Sequence, residues 1–78
     1  MDIKILGTGC AKCKLLEKIT RDVVEQNNIN ATVSKVEDIM EIMSYGIAST
    51  PALVVNGKVI FKGRVPGENE IKNALLTN

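Results

Sequence analysis

Apolar positions in this chain recur with two different periods, and the switches between them mark the elements. Ile3-Lys4-Ile5-Leu6 is a short, largely apolar run that predicts a buried strand. From Lys14 onward the spacing becomes helical. Leu15, Leu16, Ile19, Val23 and Val24 form one stripe, while Lys14, Glu17, Lys18, Arg21, Asp22 and Glu25 cover the other side. Asn27-Asn28 ends this helix, because asparagine tolerates the left-handed cap conformation. Ala31 to Val36 alternates as a half-buried strand does. Asp38 is placed to cap a short helix that carries Ile39, Met40, Ile42 and Met43 toward the core, and Gly46 closes it. The two methionines are expected to act as flexible core filler rather than as a soft-metal site.

Ala52-Leu53-Val54-Val55 and Lys58-Val59-Ile60-Phe61-Lys62 flank Asn56-Gly57, the strongest short-range signal for a two-residue hairpin. Pro66-Gly67-Glu68-Asn69-Glu70 then opens a last helix with Ile71, Ala74 and Leu75 on its apolar side. The order is βαβαββα. A strand–helix–strand start implies a parallel pair, and a hairpin adds antiparallel partners. The expected fold is α/β, a four-stranded mixed sheet flanked by three helices, with residues 1–78 forming a single domain.

Composition narrows what such a domain can do. The 78 residues are 45% apolar but hold only Tyr45 and Phe61 as aromatics, so the core must be aliphatic. Ten basic and nine acidic residues leave a net charge of +1 with no basic cluster, which supports neither nucleic-acid nor anionic-membrane binding. No apolar run approaches membrane-spanning length. Met1-Asp2 leads directly into a strand without a basic or long apolar leader, so the expected location is cytoplasmic.

The chemistry concentrates in Gly7-Thr8-Gly9-Cys10-Ala11-Lys12-Cys13, where the first strand gives way to the first helix. Free backbone N–H groups and the positive end of the helix dipole favour thiolate there. Lys12 and Lys14 add positive charge, and Gly7 and Gly9 allow a tight turn. A bond between Cys10 and Cys13 would close too small a loop to stabilise much, and a reducing cytosol would not preserve it as a structural link. A C-x-x-C pair beside a strand–helix pattern therefore points to redox chemistry or to metal. With no histidine in the chain, a cysteine hydrolase lacks its base. Zinc needs about four ligands and finds only two thiols.

Taken together, Gly7-Thr8-Gly9-Cys10-Ala11-Lys12-Cys13, Ser49-Thr50-Pro51-Ala52-Leu53 and Gly63-Arg64-Val65 resemble the thioredoxin/glutaredoxin superfamily in its minimal form, the small bacterial and archaeal redox-active disulfide proteins. That resemblance implies a thiol–disulfide oxidoreductase. Cys10 would be the exposed nucleophile and Cys13 the resolving thiol. Pro51 would be a cis-proline beside the dithiol, with Thr50 and Gly9 lining the substrate site and Lys12 tuning thiol acidity. It implies no cofactor beyond the Cys10–Cys13 disulfide, and as partners protein disulfides and an upstream reductase, with the chain acting as a monomer. The chain departs from the superfamily pattern in lacking tryptophan before Cys10, Gly-Pro between the cysteines, a buried aspartate beneath the disulfide within the Ile3 to Leu6 strand and the glycine–aspartate cluster that glutaredoxins use for glutathione. Two alternatives remain from the residues themselves. One is a Cu(I) or zinc carrier using both thiolates, although small copper-carrying domains place the hairpin between their helices. The other is a non-catalytic peptide-binding module, which would not need Cys13.

Overall fold

In the computed structural model, which describes residues 1–77, the chain forms β1 (Asp2–Leu6), α1 (Ala11–Gln26), β2 (Thr32–Val36), α2 (Ile39–Ser44), β3 (Ala52–Val55), β4 (Lys58–Lys62) and α3 (Glu68–Leu76). Residue 78 of the expected 1–78 domain lies outside the described residues. The strands form one sheet in the order β2-β1-β3-β4. β1 and β2 are parallel, while β1–β3 and β3–β4 are antiparallel. This is the mixed α/β arrangement expected from the alternating patterns.

Strand alternation divides the core in two. Ile3, Ile5, Leu53 and Val55 project to one face, where they meet Leu16 and Val23 of α1 and Ile71 and Leu75 of α3. Leu6, Ala52 and Val54 project to the other face, which Ile42 of α2 and Ile47 cover. Phe61 packs at the margin of the first cluster, so the fully buried core is aliphatic.

The chain reversals follow local rules. Asn56 and Gly57 both take positive φ, 50° and 83°, as the two-residue turn of a right-twisted hairpin requires. The Asn56 side chain also ties the turn to the sheet, its Oδ1 accepting from the Asp2 N–H at 2.8 Å. Asn28 takes φ 51° after α1, and Gly46 takes φ 75° after α2. Asp38 Oδ1 caps α2 by accepting from the Met40 N–H at 3.4 Å. On the charged side of α1, Lys18–Asp22 and Arg21–Glu17 pair at 2.9 and 3.0 Å.

Two expectations about burial are corrected. Leu15, placed in the α1 stripe by spacing, is half exposed; Cys13, Leu16, Thr20 and Val23 form the stripe instead. The helix is rotated toward the cysteine, and Leu15 falls off its edge. The α2 residues are not core filler either: Ile39, Met40 and Met43 are 60%, 74% and 61% exposed. A six-residue helix makes fewer than two turns and can press only one side onto the sheet, and that side is Ile42.

Thr20 is fully buried, and its Oγ1 has no hydrogen-bond partner among the described residues. A buried unsatisfied hydroxyl costs about 1–3 kcal/mol, whereas an isosteric methyl there costs none of this. Thr20→Val is accordingly expected to raise stability by about 1 kcal/mol, read as a higher urea midpoint with an unchanged slope.

Candidate active site

The site is built at one end of the sheet, where β1 and β2 finish and β3 begins. Leu6 pairs with both Val36 and Ala52, so the next residues outward, Gly7, Glu37 and Pro51, lie side by side beyond the last rung. The Gly7 N–H donates to the Val36 carbonyl at 3.0 Å, carrying the β1–β2 ladder one step past β1. Gly9 then turns the chain at φ 89°, and Cys10 becomes the N-cap of α1. Cys10 is the residue before the first helical turn, and Cys13 is the third residue inside it.

The two cysteines are joined as a disulfide, with Cα atoms 5.0 Å apart. Their surroundings differ. Cys10 is exposed, while Cys13 is only 5% exposed. The Cys13 N–H donates to Cys10 Sγ at 3.2 Å, so the outer sulfur occupies the place that a capping oxygen normally takes. Lys12 and Lys14 stand exposed on the first turn.

Inward, Cys13 lies directly against Gly7. A Cβ built on Gly7 would collide with Cys13 Sγ and stand 3.1 Å from Cys13 Cβ. Its turn-forming role is therefore carried by Gly9, while Gly7 is glycine to leave room for sulfur. A cavity of about 60 Å³ opens beside Cys13, lined by Ile5, Gly7, Glu17, Lys35 and Glu37 among others. Glu17 reaches it from α1 and Lys35 from β2, their charged groups 3.8 Å apart. No spacing in the sequence connects Gly7, Glu37 and Cys13; parallel pairing of β1 with β2 brings them together.

The Thr50–Pro51 peptide bond is cis, as the resemblance implied, with Pro51 buried and Thr50 exposed. The Pro51 carbonyl accepts from the Gly63 N–H at 2.9 Å, so the loop after β4 is tied to the start of β3, and a Cβ built on Gly63 would stand 3.2 Å from Ser49 Cβ. Thus Gly9, Cys10, Lys12, Cys13, Thr50 and Pro51, the residues singled out from sequence, all stand at the same end of the sheet. Gly7, Glu37 and the Gly63–Pro51 hydrogen bond join them without having been foreseen in these roles. Among the described residues, no group of three or more Cys, Asp or Glu side chains is arranged to hold a metal ion.

Such a site can exchange two electrons between a dithiol and a disulfide, with one sulfur open to a partner and the other shielded. Comparison with known proteins agrees. A thioredoxin-domain family model matches residues 1–76. The chain is 40% identical over 75 residues to a thioredoxin of Methanothermobacter thermautotrophicus, covering 96% of this chain and 97% of that one. It is 36% identical over 73 residues to a thioredoxin of Methanocaldococcus jannaschii, covering 94% and 84%. It is also 33% identical over 69 residues to a probable thioredoxin of Archaeoglobus fulgidus, covering 85% and 75%. Matched by that family model over residues 1–76 and by these relatives along nearly its whole length, the chain belongs to the thioredoxin family of thiol–disulfide oxidoreductases.

Proposed function

We propose that Cys10 is the attacking thiol and Cys13 the resolving thiol in the reduction of protein disulfides. The difference in exposure between the two sulfurs carries this reading. In the reduced protein the Cys10 thiolate attacks one sulfur of a client disulfide, forming a Cys10–client disulfide and releasing the other client sulfur as thiolate. Cys13 then gives up its proton to water admitted by the adjoining cavity, and its thiolate attacks Cys10 Sγ. The second client sulfur leaves, and Cys10–Cys13 is closed. Two electrons have moved from the protein dithiol to the client, and an upstream reductase restores the dithiol. Thr50 and Gly9, both exposed, would line the client site, Thr50 offering its backbone to an extended client segment. The chain works as a single 1–78 domain, monomeric and cytoplasmic, without a cofactor beyond its own disulfide.

The capping geometry also ranks the influences on Cys10. The Cys13 N–H points at its sulfur, whereas the Lys12 ammonium is exposed and screened by salt. Cys10 is expected to ionise below the ordinary thiol value of about 8.5. In reduced protein it should alkylate about tenfold faster than Cys13 at neutral pH. Lys12→Ala should move its alkylation midpoint only slightly upward. Equal rates for the two thiols would remove the division of labour proposed here. A midpoint shift in Lys12→Ala that restores the free-thiol value would transfer the effect from backbone to side chain.

A further inference from the structure

Charge is distributed unevenly across the end of the sheet that carries the dithiol, and the redox chemistry does not account for it. Val36, Leu6, Ala52 and Lys62 form the last shared rung, running across all four strands. Glu37 and Asp38 follow Val36 at one end of this rung, and both are exposed. Exposed Lys62 stands at the other end. Among the described residues no ion pair neutralises these three, whereas Arg64, just beyond Lys62, is held by Glu70 at 2.8 Å. Three strand spacings separate the two ends, about 14 Å. Between them lie Cys10 and the Thr8 and Thr50 loops, which line a common groove. A Cβ built on Gly9 would stand 3.4 Å from Glu37 Oε2, so this carboxylate lies against the residue before Cys10.

We infer that this acid-to-base line reads the order of charges along a client. Glu37 and Asp38 at one end and Lys62 at the other favour a client cysteine with a basic residue on one flank and an acidic residue on the other, in one chain direction only. The inference rests on the dithiol reading above, which puts the client cysteine on Cys10. Five extended residues span about 14 Å from first to last, the length of the line. The two flanks leave Cys10 in opposite directions, so one meets the acidic end while the other meets the basic end. The reversed order sets like charge against like at both ends. Lys12 and Lys14 stand on the turn that Cys10 caps, so they bear on the centre of the segment rather than on one flank. Each exposed pair is worth little by itself and is screened by salt. One order makes two attractive contacts and the other two repulsive ones, so the contributions add into a preference that is measurable but not absolute.

The test compares two isomeric pentapeptides with blocked ends, Lys-Ser-Cys-Ser-Glu and Glu-Ser-Cys-Ser-Lys, each oxidised to its symmetric disulfide. Composition and net charge are identical, so only the order of charges differs. Single-turnover oxidation of reduced protein transfers two electrons to the peptide disulfide and releases two peptide thiols; its second-order rate constant is the readout. The ratio of the two rates within one protein cancels any change in the reactivity of the dithiol itself. Wild-type protein at low ionic strength is expected to favour one isomer about fivefold, and the favoured isomer reports the direction of the client chain. The ratio should fall toward one in 1 M salt, where the screening length is about 3 Å. Glu37→Lys/Lys62→Glu should reverse the preference, and Lys62→Gln should narrow it. Equal rates for the two isomers at low salt overturn the inference while leaving the dithiol chemistry standing. So does a preference that persists in 1 M salt or keeps its direction in the charge-swapped variant. Should that variant fail to fold, the wild-type salt series and Lys62→Gln decide alone. If neither peptide nor 2-hydroxyethyl disulfide oxidises the reduced wild-type protein, the dithiol reading falls and this inference with it.

Discussion

Cys13→Ser protein, reduced and mixed with a disulfide-bonded client, is expected to accumulate a stable one-to-one adduct through Cys10. Cys10→Ser protein should form almost none. The difference follows from position. Cys10 caps α1 in the open, so attack survives the loss of Cys13. Cys13 is 5% exposed, so it cannot replace Cys10 as the group that meets a client. Serine at position 13 lacks the sulfur that would displace the client, and the mixed disulfide has no internal route to breakdown. Catalytic turnover should fall by more than about a thousandfold in either variant, because nucleophile and resolver act as one unit and either loss stops the cycle. Mass spectrometry of non-reduced protein identifies the adduct and the cysteine that carries it. Abundant adduct on Cys13 in Cys10→Ser protein would reverse the assignment. Unimpaired binding and function of Cys13→Ser protein without an adduct would favour the peptide-binding alternative.

Gly7→Ala is expected to weaken the oxidised protein more than the reduced protein. An added Cβ would overlap the Cys13 sulfur, and the neighbouring Cys13 Cβ is already at 3.1 Å from that point. In the oxidised state Cys13 Sγ is held by its bond to Cys10 and cannot swing aside; in the reduced state its side chain is free to change rotamer. Overpacking of this kind costs about 1–3 kcal/mol. If most of that cost falls on the oxidised form, the reduction potential rises by about 20–60 mV, making the dithiol a weaker reductant. Gly46→Ala is the control. It has φ 75° and nothing within 4 Å, so it strains both redox forms alike and should leave the potential unchanged. Equilibration of each variant against a glutathione buffer measures the shift. An unshifted potential in Gly7→Ala protein would mean that the chain retreats from the sulfur at no cost to the disulfide.

Much of this molecule could be read one residue at a time, since the controlling physics is local. Asn56-Gly57 turned the hairpin because both residues accept positive φ. Asp38 and Gly46 bounded α2 through a side-chain oxygen and a left-handed glycine. A cysteine before the first turn of α1 had to meet the free N–H groups at that helix end, and Cys10 does. Alternation in β1 and β3 assigned Ile3, Ile5, Leu53 and Val55 to one face before any partner was known. The cis bond at Pro51 was legible only through the family resemblance, because nothing in Thr50-Pro51 by itself selects it.

What the chain pattern could not show depended on how elements meet. The spacing of α1 was read correctly as helical, but the docking of the helix turned Leu15 outward and Thr20 inward. An apolar count on α2 said nothing of whether six residues could bury it, and the sheet had room for Ile42 alone among its exposed neighbours Ile39, Met40 and Met43. Gly7 shows the same limit at the site. A glycine after a strand looks like a turn residue, and only the packing of α1 over β1 brings a sulfur within collision distance of the missing Cβ. Sequence by itself determined the elements, their order and the chemistry at the head of α1, because dihedral preference, capping and alternation act between near neighbours. Tertiary structure decided which apolar side chains faced water, what lay beneath Cys13 and how the Thr8 and Thr50 loops adjoin, because those depend on helix rotation and strand pairing between residues far apart in the chain.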